Sequence, residues 1–304
     1  FHIQSLYRMD AIFLIGSFVI GVAATILQVV LNLYLTVCRI GKTTALQRQM
    51  IGGTSNSIGM AIAPLVISYL IFHGTPLHDI VTKQFIIPLI ILILIMLIIT
   101  ILVGKTQMPS IDNVRQVPGE KFDKSVWSFR NLKLGVWGIF FYVGIEVAVG
   151  ANVNMYASEL GGSFASNATH MAALYWGLLL LGRFLGSFIK QVPSEKQLVI
   201  ASIGAIVLLV LAMLTANPWI LTLIGFFHSI MWPAIFTLAT DQLGKYTTKA
   251  SGVLTMGVIG GGIIPLLQGI FADVMGGNWL WTWLLVIAGE AYILYYGLNG
   301  YKQH

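Results

Sequence analysis

Residues 84–104 read QFIIPLIILILIMLIITILVG, twenty-one positions without a charge. A helix rises about 1.5 Å per residue, so such a run covers about 30 Å, the thickness of a bilayer's hydrocarbon layer. Apolar on every side, it is stable only where lipid or other apolar helices surround it. Eight more largely apolar stretches of similar length lie near 11–38, 51–73, 134–157, 170–190, 197–216, 219–240, 252–274 and 279–299. Three of the nine precede a charged central segment and six follow it. The reading is an all-α integral membrane protein.

Composition points the same way. Of 304 residues, 57% are hydrophobic and only 9% charged, against about a quarter charged in soluble domains; mean hydropathy is +0.85. Nine such helices in 304 residues leave too few polar positions to build a solvated surface. The net charge of +6 would suit a nucleic-acid surface if it were clustered in a folded face, but its placement argues for topology instead. With spans of alternating direction, the first ending inside, only Arg8 and Lys83 fall outside, and the other fifteen of 17 basic residues lie on the inner face. That bias is the one that orients membrane proteins.

A single cysteine, Cys38, excludes an internal disulfide and sits at a cytoplasmic helix end, consistent with a reduced thiol. The chain opens Phe1-His2-Ile3 with neither an initiator methionine nor the pattern of a signal peptide. Since the orientation places residues 1–10 outside, the front of the chain is read as truncated. Residues 105–133 hold Pro109, Pro118, Gly119 and mixed charges, and are predicted to form a cytoplasmic connector between helix groups. This divides the chain into 1–104, with three helices, and 134–304, with six. Within the connector, Val126-Trp127-Ser128-Phe129 suggests a short amphipathic turn at the membrane surface.

No Walker lysine pattern, nucleophile elbow or Cys/His ligand cluster is present in the sequence, so neither an enzyme nor a cofactor or metal site is expected. Polar side chains within the spans are therefore the informative residues, because each needs a partner in the bundle or a watery cavity. Gln28 and Asn32 lie one turn apart and share a face; amides suit sugar hydroxyls, and equally suit interhelical bonding. The second span opens Gly52-Gly53-Thr54-Ser55-Asn56-Ser57, from which close packing is expected of the glycines and a cavity role of Asn56. Glu146 lies deep in the fourth span and must be protonated or paired; it is the candidate for sugar binding or for cation coupling. Asn152, Asn154 and Tyr156 continue that polar content outward. Trp232, beside Pro233 in the middle of a span and one turn from His228, stands away from the interfacial belt where tryptophan collects, and its face suits stacking on a pyranose ring. Glu290 is the second deep acid, with no partner evident from its sequence neighbours. Gly257, Gly260, Gly261, Gly262 and Pro265 are read as packing and bending residues.

Several of these segments, taken in order, resemble one known family: Thr25 to Val29 with Asn32 and Tyr34, Thr54 to Gly59, Tyr142 to Val147, Gly182 to Gly186, Trp232 to Phe236, and Ile259 to Gly269. The chain is similar to the fucose/glucose-galactose porter branch of the major facilitator superfamily over nearly its whole length. The resemblance implies the major facilitator fold, with nine of its twelve transmembrane helices present and matching helices 4 to 12. It implies a multi-pass protein of the bacterial inner membrane that takes up a hexose of the glucose or galactose type by alternating access between two bundles, as a monomer, with a proton or sodium ion as coupling partner. L-fucose or an N-acetylhexosamine is the alternative substrate, and a sugar sensor derived from a transporter the alternative role. The amides, the acid and the aromatic together give a sugar site of Gln28, Asn32, Asn56, Glu146, Asn152 and Trp232, with Glu146 as the candidate for coupling. Fucose porters of the branch have a glutamate where this sequence has Gln28, so a proton-carrying role does not transfer to that position. Gly53, Leu33 and Trp232 also depart from the family pattern, which leaves the preferred sugar open.

Overall fold

The computed structural model describes residues 2–38, 41–65, 86–107, 122–189 and 191–303. The predicted loop at 73–76, the end of the second predicted span beyond Leu65 and the connector over 108–121 lie outside the described residues. Everything described is helix or short connection. The first group comprises α1 (His2–Val37), α2 (Ala45–Leu65) and α3 (Ile86–Lys105). After a single turn at Val126–Ser128, which buries Val126 and leaves Trp127 exposed, comes α4 (Arg130–Leu160), 31 residues long. Then follow α5 (Gly162–Ser166), α6 (Ala168–Gly186), α7 (Ser194–Thr215), α8 (Pro218–His228), α9 (Met231–Thr240), α10 (Thr247–Thr255), α11 (Gly260–Val274) and α12 (Trp283–Tyr295).

Local chemistry sets these ends. Gly161 at φ 72° stops α4 in a backbone region that favours glycine. Asn217 caps α8, its side chain accepting from the Trp219 N–H, with Pro218 in the first turn where no N–H is needed. At the start of α2, Thr44 and Gln47 cap each other reciprocally, each backbone N–H donating 3.1 Å to the other's side-chain oxygen. Arg48 donates to the carbonyls of Leu35 and Thr36, both at 2.7 Å, and so closes the end of α1.

Six helical runs among the described residues are long and apolar enough to cross a membrane: 14–37, 86–105, 130–160, 194–215, 218–240 and 244–274. Two of them are composite. The run 218–240 is broken at Ser229–Ile230, and Pro233 in the first turn of α9 prevents a continuous ladder there; the run 244–274 passes through a tighter turn at Met256–Ile259. The fifth predicted span is α6, and the ninth is α12, flanked by a turn at Leu280–Thr282 and a widened turn at Tyr296–Gly300.

The core lies in the later group, where α4 is central and packs on α6, α8, α9, α11 and α12. In lipid the apolar surface of one helix gains little by leaving lipid for another, so close backbone approach and interhelical bonds hold such bundles together. Glycines provide that approach between α4 and α11: a Cβ at Gly260 would overlap the Phe140 carbonyl, and one at Gly257 would stand 2.7 Å from the Val136 oxygen. By contrast, α3 contains no buried residue and presents isoleucine and leucine on all sides. Such a surface requires an apolar surrounding. The first group meets the later one through α2, which packs on α1, α6 and α9, and through α1 against α10.

Candidate functional site

Arg183 lies one turn from the end of α6, within an apolar helix, and its guanidinium joins both groups of helices. Nη2 is 3.3 Å from Oε1 of Glu146 in α4, Nη1 donates to the Ser57 hydroxyl of α2 at 2.8 Å, and Nε donates to the Ser229 carbonyl in the α8–α9 break at 3.4 Å. The two charged side chains are only 10% and 13% exposed. A lone charge at this depth would be costly, and the pair offsets the desolvation only because both partners are also hydrogen-bonded or close-packed. Gly53 permits the crossing: a Cβ there would sit 3.2 Å from the Arg183 Cδ, so the missing side chain leaves room for the arginine stem beside α2. Tyr142, fully buried on α4, lies beside the same ion pair. A polar seam thus runs between the helix groups through otherwise apolar surroundings.

The predicted site residues distribute around this seam. Glu146 is in it, through Arg183. Asn56 is exposed on α2, adjacent to Ser57. On α1, Gln28 is half-buried and Asn32 buried, and the Asn32 carbonyl accepts from Gln49 of α2 at 2.8 Å. Trp232 is half-buried in the first turn of α9 and stacks on Phe236, with ring centroids 6.1 Å apart and planes 25° apart. Asn152 belongs to a different network: its amide donates to Gln268 of α11 at 3.0 Å, and Gln268 donates to Thr282 at 3.1 Å. That chain ties α4 to α11 and to the turn before α12.

From the sequence, Arg183 counts among the inner-face basic residues and within the segment Gly182 to Gly186 but not among the site residues, although its position inside a predicted span is the available signal. The partner of Glu290, not evident from its sequence neighbours, is supplied by the structure. Glu290 in α12 lies 2.6 Å from Nε2 of His228, the last residue of α8, and both are fully buried. The Nδ1 atom of His228 lies 2.6 Å from the Tyr175 hydroxyl of α6. The three residues are far apart in sequence, and their sequence neighbours are apolar or small. Only packing brings them together.

Comparison with known proteins gives a consistent picture. The family model of the Major Facilitator Superfamily matches residues 4–265. A glucose/galactose transporter of Brucella abortus biovar 1 (strain 9-941) is 35% identical over 306 residues, covering 98% of this chain and 73% of the relative. The L-fucose-proton symporter of Escherichia coli (strain K12) is 26% identical over 292 residues, covering 87% of this chain and 66% of that protein. Among solved structures, the crystal structure of FucP, a transporter of the same superfamily in its outward conformation, superposes with a TM-score of 0.76 at 23% identity, covering 90% of this chain and 72% of that one.

Proposed function

The chain belongs to the Major Facilitator Superfamily, and from that premise we propose that it takes up a hexose of the glucose or galactose type by alternating access. It is a multi-pass protein of the bacterial inner membrane and a transporter, not an enzyme. On this proposal the described helices belong to nine spans that match helices 4 to 12 of the twelve-helix fold. Residues 1–104 form the later part of one bundle, 105–133 the connector and 134–304 the other bundle, with the sugar between them at mid-membrane. The protein acts as a monomer with cation coupling.

The observation that carries this reading is the Arg183 bridge, which joins Glu146 of one bundle to Ser57 of the other. Charged and polar groups at this depth are expensive in lipid and are accommodated where they line a pathway between moving parts. The sugar would meet amides at Gln28, Asn32 and Asn56, the acid Glu146 and the indole of Trp232, while Asn152 braces the wall through Gln268. Hydroxyls need both donors and acceptors, which amides supply together, and the indole face offers apolar surface to the ring.

Counterflow of labelled D-glucose, D-galactose and L-fucose in proteoliposomes bearing the full-length parent protein tests the proposal. Exchange of glucose or galactose is expected, and Asn32→Ala combined with Trp232→Ala is expected to lower it by about tenfold or more, the loss of roughly 1.4 kcal/mol or more of binding. Undiminished exchange in the double variant would remove the assigned site. Preference for L-fucose would favour the second reading, which the symporter relative supports.

A further inference from the structure

The Tyr175, His228 and Glu290 chain lies entirely within one bundle, apart from the side chains proposed to meet sugar. It consists of three close contacts. The Tyr175 hydroxyl is 3.1 Å from the backbone carbonyl of Glu146 and 2.6 Å from Nδ1 of His228, and Nε2 of His228 is 2.6 Å from Oε1 of Glu290. The other carboxyl oxygen of Glu290, Oε2, is buried without a hydrogen-bond partner among the described residues.

Counting hydrogens across these contacts defines two states of the network. A carbonyl only accepts, so filling all three contacts takes the one Tyr175 hydrogen for Glu146 and requires Nδ1 to carry its own hydrogen and donate to the Tyr175 oxygen. In that state the contact between Nε2 and Oε1 takes one more hydrogen, resident on either atom. His228 and Glu290 together therefore hold two hydrogens and are neutral as a pair, either imidazolium with carboxylate or imidazole with carboxylic acid. With one hydrogen removed, the pair carries a net charge of −1, and one of the three contacts has no hydrogen to fill it. A buried net charge without a dedicated counter-charge is costly.

Resting on the transport reading above, we propose that the His228–Glu290 pair is the proton-binding site that couples ion movement to sugar movement. It is loaded when all three contacts are filled and emptied when one of them lacks a hydrogen. The surrounding groups support this assignment. From α4, Tyr142 faces His228 edge-on at 6.1 Å, and Glu146 approaches through its carbonyl. From α6 come Tyr175 and, further along, Arg183. Neither α8 before His228 nor α9 has another titratable residue, those of α7 (Glu195 and Lys196) lie in its first turn, and Tyr292 of α12 donates instead to the Leu134 carbonyl. Arg183, further along α6, is already paired with Glu146 and donates to Ser57 across the seam. Proton release leaves too few hydrogens for the three contacts, and a Tyr175 hydroxyl drawn wholly to His228 frees the carbonyl of Glu146, whose side chain pairs with the arginine that reaches Ser57 of the other bundle. His228 also adjoins the break that precedes Trp232.

Two experiments on the full-length parent and its Glu290→Gln variant test this. Glutamine mimics the loaded, neutral carboxyl and still donates to Nε2. In a pH jump read with an indicator dye on purified protein, the variant is expected to bind one proton fewer than the parent, and an equal count overturns the proposal whether or not any sugar is carried. In proteoliposomes with labelled D-galactose, the variant is expected to keep counterflow within about twofold of the parent. Accumulation driven by an imposed pH gradient is expected to fall by about tenfold or more, the size of a typical coupling between sites. Gradient-driven accumulation equal to the parent's, or counterflow lost in step with accumulation, overturns it. If Glu290→Gln does not reach the membrane folded, Glu290→Met, which likewise removes the titratable carboxyl, is read by the same criteria. Failure of the parent to exchange any of the three sugars would count against the transport reading, while the proton count still decides this one.

Discussion

Arg183 shows how one side chain comes to govern a region. Three of its nitrogens are engaged by three different partners, on α4, α2 and the α8–α9 break. A lysine has one nitrogen and cannot reproduce this fork. Removing either charge of a buried pair strands the other, which typically costs about 3–5 kcal/mol, whereas removing both is much less costly. Arg183→Met alone is therefore expected to lower the thermal stability of the purified protein far more than Arg183→Met with Glu146→Leu. A double-mutant cycle on apparent Tm measures the difference. Simple additivity of the two changes would show that the pair is not energetically coupled.

Among the helices, the decisive contact is α4 against α11. With no solvent-driven force between helices in lipid, their association depends on how closely the backbones approach. Gly257 and Gly260 lie directly over carbonyls of α4, while nothing lies within 4 Å of a Cβ at Gly262. Gly260→Ala is expected to destabilise by about 1–3 kcal/mol through overpacking, and Gly262→Ala to leave unfolding in detergent almost unchanged. Equal effects at the two positions would mean that the close approach is not what holds α11. The break between α8 and α9 has a related origin. Pro233 cannot continue the ladder, and the Ser229 carbonyl in the break accepts from Arg183.

Across the whole molecule, the two helix groups touch at the end where the basic residues collect, which the charge bias assigns to the cytoplasm. There the Gln47 side chain of α2 donates to the Ser187 carbonyl at the end of α6, at 2.9 Å, and a crevice of about 320 Å³ is lined by Thr36, Arg48, Thr240, Asp241 and Thr247 among others. Gln47→Glu keeps the acceptor that caps α2 and loses the donor that crosses the seam. A lost hydrogen bond worth about 1 kcal/mol shifts a two-state equilibrium about fivefold. The variant is expected to react about fivefold faster at Cys38, half-buried at the end of α1, with a maleimide supplied from the cytoplasmic side, the rate following from the same population shift. The measurement is mass spectrometry of the Cys38 peptide, and an unchanged rate would show that this bond does not hold the inner side closed.

Much of this was legible in the chain before folding. Long uncharged runs such as 84–104, the one-sided placement of lysine and arginine, and the ordered segments around Asn32, Glu146 and Trp232 pointed to a membrane-embedded transporter of this superfamily, because hydropathy and topology are sums over neighbours in sequence. The partners of individual polar residues were not legible. Glu290 stands among small and apolar neighbours, and nothing local distinguishes an acid facing His228 from one facing lipid. Asn152 reads as a cavity residue until Gln268 is placed opposite it. In helices apolar on nearly every side, the repeat of hydrophobic positions no longer marks which face turns inward, so rotation about each axis is set by glycine contacts and interhelical bonds. The sequence by itself determined that the chain lives in lipid, and its one-sided charge is what assigns an orientation. Only the tertiary structure decided which buried polar groups meet, since those contacts join helices whose residues lie tens to more than a hundred positions apart.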